Sequence, residues 1–256
     1  MNFATLWRTV VAWTGGILLT LILIPPGLIL LALDPIKQRI PQRMVRFWGR
    51  TIMRMCFIKI HVFGLENLKG IKSAVFAANH QSMVDIFMIN AFIPRRLAFL
   101  AKKQTRLIPV IGQLMPMLGH IMVDRSNPKK SLKSVQKCIT ALSGNRSIVI
   151  FPEGTRTLDG KMNRFKSGSL KIPLRTGAPL IPVTLCGTLN VMPKNTFGVR
   201  PHTVVMHIGE PIETKELQIS NFRSFVDQIE ATISDTKERL EKEYPETAPL
   251  PESILT

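Results

Sequence analysis

The chain is poor in cysteine, in tyrosine and, over most of its length, in acid. Its three cysteines, Cys56, Cys138 and Cys186, are far apart and form no C-x-x-C pair, which excludes a disulfide scaffold and a zinc knuckle. The five histidines form no H-E-x-x-H or other zinc spacing, so no metal is expected. One tyrosine and three tryptophans leave no aromatic strand for stacking bases, which argues against nucleic acid despite a formal net charge of +17. No G-x-S-x-G elbow exists, and with it goes the serine acyl-enzyme. Gly154 and Gly160-Lys161 imitate a P-loop only superficially: five residues separate the glycines where four are required, and Met162 stands where Ser or Thr should bind magnesium. Internal repeats are absent too.

The shortage of acid is uneven. Of 34 Lys and Arg and 17 Asp and Glu, five bases and 11 acids lie from Glu210 onward. The first 209 residues therefore hold 29 bases against six acids: Asp34, Glu66, Asp85, Asp124, Glu153 and Asp159. Such a body attracts an anionic ligand or surface. Charge is missing altogether from Thr9 to Leu33, a run long enough to cross a bilayer. No small-residue cleavage site follows it, and Arg8 is the sole positive charge before it, so a cleaved signal peptide is not expected. Pro25-Pro26 predicts a break in its helix. Downstream, Arg39, Arg43, Arg46, Arg50 and Arg54 recur at spacings of three and four, forming one helical stripe opposite Met44, Val45, Trp48, Ile52 and Met55. An apolar helix followed by a basic amphipathic one predicts a membrane-associated element over 1–58, with the bases holding the remainder in the cytoplasm.

From residue 59 to 256 the pattern predicts one α/β domain: a central, mostly parallel or mixed sheet of about seven strands flanked by helices. Strands are expected at 57–63, 73–78, 97–101, 119–123, 147–151, 180–185 and 203–208. Helices are expected at 83–92, 129–142, 169–176 and 221–243. The last carries Phe222, Phe225, Val226, Ile229, Ile233 and Leu240 at helical spacing and should pack on the sheet. A flexible, Pro- and Glu-rich tail is expected from Tyr244.

What is present is chemistry at strand ends. Asn79-His80-Gln81-Ser82-Met83-Val84-Asp85 sets an imidazole and a carboxylate five residues apart where a strand gives way to a helix. A neutral His80 there can take a proton from an alcohol if its other nitrogen is held, and Asp85 can be that holder. The same spacing, Ser82-x-x-Asp85, is also a capping box, so a plain helix cap is the competing reading. Phe151-Pro152-Glu153-Gly154-Thr155-Arg156 follows another strand; its glycine permits a tight turn and its arginine offers a fork to phosphate.

These residues resemble the bacterial 1-acylglycerol-3-phosphate acyltransferase (lysophosphatidic acid acyltransferase) family over 57–211. Residues 79–85 match its NHxxxxD block. Gly119-His120-Ile121-Met122-Val123-Asp124-Arg125 resembles its second block, with Met122 where an aromatic is usual. Residues 151–156 match the third, with Thr157 in place of the commoner serine, and Pro179-Leu180-Ile181-Pro182-Val183 resembles the fourth, associated with the acyl donor. The resemblance implies His80 as base and Asp85 as its partner. It implies Arg125, Glu153, Gly154, Thr155 and Arg156 on the acceptor's phosphate and glycerol, with Lys102, or else Lys103, nearby. The expected reaction moves a fatty acyl group from acyl-CoA or acyl carrier protein to lysophosphatidic acid, giving phosphatidic acid for phospholipid biosynthesis. No cofactor is expected beyond that donor. Backbone N–H groups at the helix start would hold the oxyanion. The site is expected at the cytoplasmic face of a bacterial inner membrane, in contact with anionic lipid. The alternatives are an acyltransferase for a lyso-ornithine lipid or another lysophospholipid, and a non-catalytic module that binds anionic lipid.

Overall fold

The short apolar runs become neighbours in one sheet. The computed structural model describes residues 3–33, 39–108, 111–124, 128–217 and 219–250. Its strands are β1 (Lys59–Phe63), β2 (Val75–Ala78), β3 (Leu97–Lys102), β4 (Ile121–Val123), β5 (Ser147–Ile150), β6 (Leu180–Cys186) and β7 (Thr203–Ile208). Its helices are α1 (Phe3–Leu33), α2 (Arg39–Met55), α3 (Val84–Phe92), α4 (Ile111–Met117), α5 (Pro128–Ser143), α6 (Ser167–Thr176), α7 (Thr188–Val191) and α8 (Phe222–Glu243). All seven expected strands and all four expected helices of the body are there. α4 and α7 were not expected: each is too short for a clear period, and α4 contains Pro116.

The sheet order is β1-β7-β6-β2-β5-β3-β4, and every pairing is parallel except β6 with β7. Central strands are buried on both faces, which is why they read as unbroken apolar runs. Alternation decides the layers. Val75 and Ala77 of β2, with Ile148 and Ile150 of β5, join a core with Cys138 and Leu142 of α5, Leu170 of α6 and Ile229 of α8. Phe76, Ala78 and Val149 join the opposite core with Met53 of α2 and Val84 and Met88 of α3. The connection through α3 leaves β2 and passes β5 to reach β3, whereas the connection through α6 leaves β5 and passes β2 to reach β6. These departures in opposite directions, on opposite faces, make the carboxyl ends of β2 and β5 a topological switch point, the place where α/β sheets bind ligands.

The N-terminal helices attach to this body chiefly through α2, with α1 also reaching Phe197 and Val199. Gly49 lets α2 approach α3 closely: a Cβ there would sit 3.0 Å from the Phe87 carbonyl oxygen. Trp48 stacks edge-on against Phe87 at 5.1 Å, and Arg50 Nε donates to the Ala91 carbonyl at 2.9 Å. On its other flank α2 meets α1, where Trp48 Nε1 donates to Thr20 Oγ1 at 2.9 Å. Arg43, Arg50 and Arg54 are exposed. α1 is apolar and long enough to cross a membrane, and its side chains point largely away from the protein, with Ile22 at 68% and Leu33 at 76% exposed.

One expectation needs correction. α1 runs uninterrupted through Pro25 and Pro26, so the predicted break is not there. Each proline costs one helical bond and crowds the preceding turn, but in an apolar segment the other backbone groups have no partners except each other, which preserves the helix on both sides. The tail beyond α8 is held as far as Leu250, short of the end on which the expected disorder falls. Thr247 is buried, and the Asn190 amide holds the segment by accepting from Leu250 N–H at 3.0 Å and donating to the Ala248 carbonyl at 2.7 Å. Residues 251–256 lie outside the described residues.

Candidate active site

β2 ends at Ala78, and Asn79 prolongs its pairing with a side chain instead of a backbone. The Asn79 amide donates to the Leu185 carbonyl at 2.8 Å and accepts from Leu185 N–H at 2.7 Å, a two-bond ladder rung onto β6. That rung fixes where His80 leaves the sheet.

His80 Nδ1 lies 2.7 Å from Asp85 Oδ2. An ionised carboxylate only accepts, so Nδ1 carries the proton and Nε2 keeps its lone pair. Asp85 is fully buried, a costly position for a charge unless it is well supplied with donors. It has four. Oδ2 also accepts from the N–H groups of Gln81 at 2.8 Å and Ser82 at 2.9 Å, and Oδ1 accepts from the Thr188 hydroxyl at 2.5 Å. One carboxylate thus gathers the two N–H groups that lead into α3 and holds the imidazole. The ring face is covered by Phe151, stacked at 4.0 Å and 17°. Phe151 in turn stacks on Phe99, and Phe99 meets His120 edge-on at 5.5 Å.

The backbone of His80 is held as tightly as its ring. Its N–H donates to Glu153 Oε1 at 2.6 Å, and its carbonyl accepts from Thr157 N–H at 3.0 Å. Glu153 Oε2 accepts from Asn163 twice, from the backbone N–H at 2.8 Å and from Nδ2 at 3.0 Å. Glu153 is 1% exposed, and burial, opposed by those bonds, raises its pKa. Both oxygens accept from inside the protein, so Glu153 braces one loop against the other, with Oε1 taking a single bond. Gly154 takes a positive φ of 76°, which lets the turn reverse directly after Glu153.

The remaining expected residues are placed as follows. Thr155 is exposed and Arg156 half-buried beside His80's loop, and no carboxylate pairs with Arg156 among the described residues. Lys102 ends β3, next to β5 in the sheet, and is exposed. Lys103 is tied to Asp124 at 3.7 Å, which leaves Lys102 the freer of the two. Arg125 lies outside the described residues. At the helix start Gln81 and Ser82 N–H go to Asp85, and Val84 N–H goes to Ser82 Oγ at 3.2 Å. The fourth block is the buried interior of β6, with Pro182 opposite Ala77.

Sequence reasoning missed Asn79, Phe151, Asn163 and Thr188 as working parts. Asn79 and Phe151 stood inside recognised blocks, but Asn163 and Thr188 carry no local signal.

The sequence and the fold resemble those of known proteins. A family model described as Acyltransferase matches residues 59–186. The chloroplastic 1-acyl-sn-glycerol-3-phosphate acyltransferase LPAT1 of Arabidopsis thaliana is 31% identical over 212 residues, covering 82% of this chain and 59% of its own length. The enzyme of that name from Borreliella burgdorferi is 32% identical over 200 residues, covering 76% of this chain and 79% of its own. The chain thus spans about three fifths of the length of plant relatives such as LPAT1 (59%) and the Cocos nucifera protein (60%). The crystal structure of the 1-acyl-sn-glycerophosphate acyltransferase PlsC from Thermotoga maritima superposes with a TM-score of 0.82 at 27% identity, covering 93% of this chain and 96% of that one.

Proposed function

The chain belongs to the 1-acyl-sn-glycerol-3-phosphate acyltransferase family, and from that premise we propose that it acylates the free hydroxyl of 1-acylglycerol-3-phosphate, yielding phosphatidic acid. The observation that carries the reading is the 2.7 Å pairing of His80 with a buried, fully hydrogen-bonded Asp85 at the carboxyl end of the sheet. His80 Nε2 takes the proton of the acceptor hydroxyl as its oxygen attacks the thioester carbonyl of acyl-CoA or acyl carrier protein. A C–O bond forms, the tetrahedral intermediate collapses with loss of the C–S bond, and the proton passes from His80 to the departing thiolate. Asp85 and Phe151 keep the ring aimed, and Asp85 stabilises the imidazolium between the two transfers.

Arg156, with Lys102 and Arg125, neutralises the acceptor phosphate and sets its hydroxyl against Nε2, with Gly154 and Thr155 forming the turn beneath it. α1 and the arginines of α2 seat the enzyme in an anionic leaflet on the cytoplasmic side, so that the lipid acceptor reaches the switch point without leaving the membrane. No cofactor beyond the donor thioester enters the scheme.

The test is the full chain in phospholipid vesicles with acyl-CoA or acyl carrier protein and lysophosphatidate, with other lysolipids in competition. Phosphatidate formation, abolished in His80→Ala, is expected. Preference for a lyso-ornithine lipid would replace the acceptor, and vesicle binding with no acyl transfer at all would overturn catalysis.

A further inference from the structure

Lys194 lies outside all four sequence blocks, in the loop that follows α7, yet its ammonium reaches the turn after β5. Its Nζ donates to Thr155 Oγ1 and to the Arg156 carbonyl, each at 3.3 Å. Among the described residues no carboxylate pairs with it. Two consequences follow from the donor and acceptor chemistry. A hydroxyl that accepts from an ammonium turns its own proton away, so Thr155 O–H is left to donate on the exposed side of the turn. The peptide joining Arg156 to Thr157 is gripped at both ends, its carbonyl by Lys194 and its N–H by the His80 carbonyl at 3.0 Å. One cation therefore sets the acceptor turn relative to the base.

The loop that carries Lys194 is itself anchored on two sides. The Met192 carbonyl accepts from Ser82 Oγ at 2.7 Å, which ties the loop to the start of α3. Val199 N–H donates to Thr9 Oγ1 at 3.0 Å, and the Phe197 carbonyl accepts from Trp13 Nε1 at 2.8 Å, which ties it to α1. A lysine on a loop fixed at both ends is held at its post, unlike one that merely happens to brush a hydroxyl.

We propose that Lys194 is a positioning residue for the acceptor's phosphate: it orients the Thr155 hydroxyl and Arg156 as an anion cradle and adds a second cation beside them. The proposal rests on the phosphate-bearing acceptor read above. In full-length K194M the KM for lysophosphatidate should rise about tenfold, the size of one lost charge-assisted hydrogen bond. kcat should stay within about threefold and the KM for the acyl donor should not change, while K194R restores most of the loss. Raising salt should weaken lysophosphatidate binding more in the wild type than in K194M, because screening acts on a charge the variant lacks. A folded K194M with unchanged lysophosphatidate KM, or one whose kcat alone falls, would overturn the proposal; if K194M does not fold, K194Q is judged by the same numbers. If the wild type makes no phosphatidate, the reading of the acceptor fails separately. Calorimetric titration with glycerol 3-phosphate then decides Lys194: weaker binding in K194M supports the cradle, and equal binding sinks it.

Discussion

The two carboxylates that hold His80 are answered inside the protein, whereas Arg156 and Lys194, on the neighbouring turn and loop, have no carboxylate answering them among the described residues. Asp85 accepts four hydrogen bonds and Glu153 accepts three, and neither carboxylate reaches solvent. Arg156 and Lys194 have no carboxylate partner among the described residues, and Lys102 stands exposed at a strand end. Under the proposed function the difference separates two tasks. Proton transfer needs a base whose position and tautomer are set before substrate arrives, so its environment is closed and satisfied. Anion binding needs charge whose partner is the ligand, so its environment is kept open.

The hardest blow to the closed half is His80→Ala, expected to lower kcat/KM by about a thousandfold, the scale of a lost general base, with an unchanged melting temperature. Steady-state rates beside a thermal melt check it, and a fall below tenfold would dissolve the contrast. Asp85→Asn should cost about a hundredfold in kcat. The amide oxygen can still accept from Gln81 and Ser82, and the amide nitrogen can turn to Thr188, so stability should fall by less than about 2 kcal/mol; the charge behind the imidazole is what disappears. Arg156→Met attacks the open half instead. Its KM for lysophosphatidate should rise ten- to a hundredfold with little change in kcat, and the opposite split would place Arg156 in the closed half.

Glu153→Gln sharpens the comparison through stability. Three donors converge on a carboxylate, and an amide can accept on only one side, leaving a buried donor facing a donor; a loss of about 1–3 kcal/mol is expected by denaturant titration. The smallest effect concerns His120. Burial first, and Arg146 second, push its pKa down to about 4, and its Nδ1 accepts from Phe99 N–H at 3.1 Å, which a protonated ring cannot do. Between pH 6.5 and about 4 the unfolded chain binds this proton and the folded one does not. Stability is therefore full above 6.5 and falls as the pH drops through that window. His120→Asn should flatten that slope by comparison with the wild type, as read by melting temperature against pH.

Much of the fold was legible because buried parallel strands announce themselves as apolar runs, and His80 with Asp85 was legible because five residues is a local distance. Glu153 was recognisable as part of a block, but its duty was not. Nothing in the residue type distinguishes a carboxylate facing substrate from one holding the N–H of a residue 73 positions away. Thr188 was invisible for the same reason, being 103 positions from the carboxylate it serves. The continuous α1 escaped because proline statistics come from water, where a broken helix finds other partners.

Those separations also govern when the pair of His80 and Asp85 is seated. The links that seat the base span 73 residues to Glu153, 106 from Asn79 to Leu185, 103 from Asp85 to Thr188 and 110 from Ser82 to Met192. Closing such distant contacts is slow and comes late, since each must overcome the entropy of the intervening chain. A growing polypeptide that has finished β5 already carries both His80 and Asp85, yet it has neither the strand that steadies Asn79 nor the hydroxyl that completes Asp85. It owns the motif without its supports, and under the proposed function competence arrives only when the chain as far as Met192 has been made and docked.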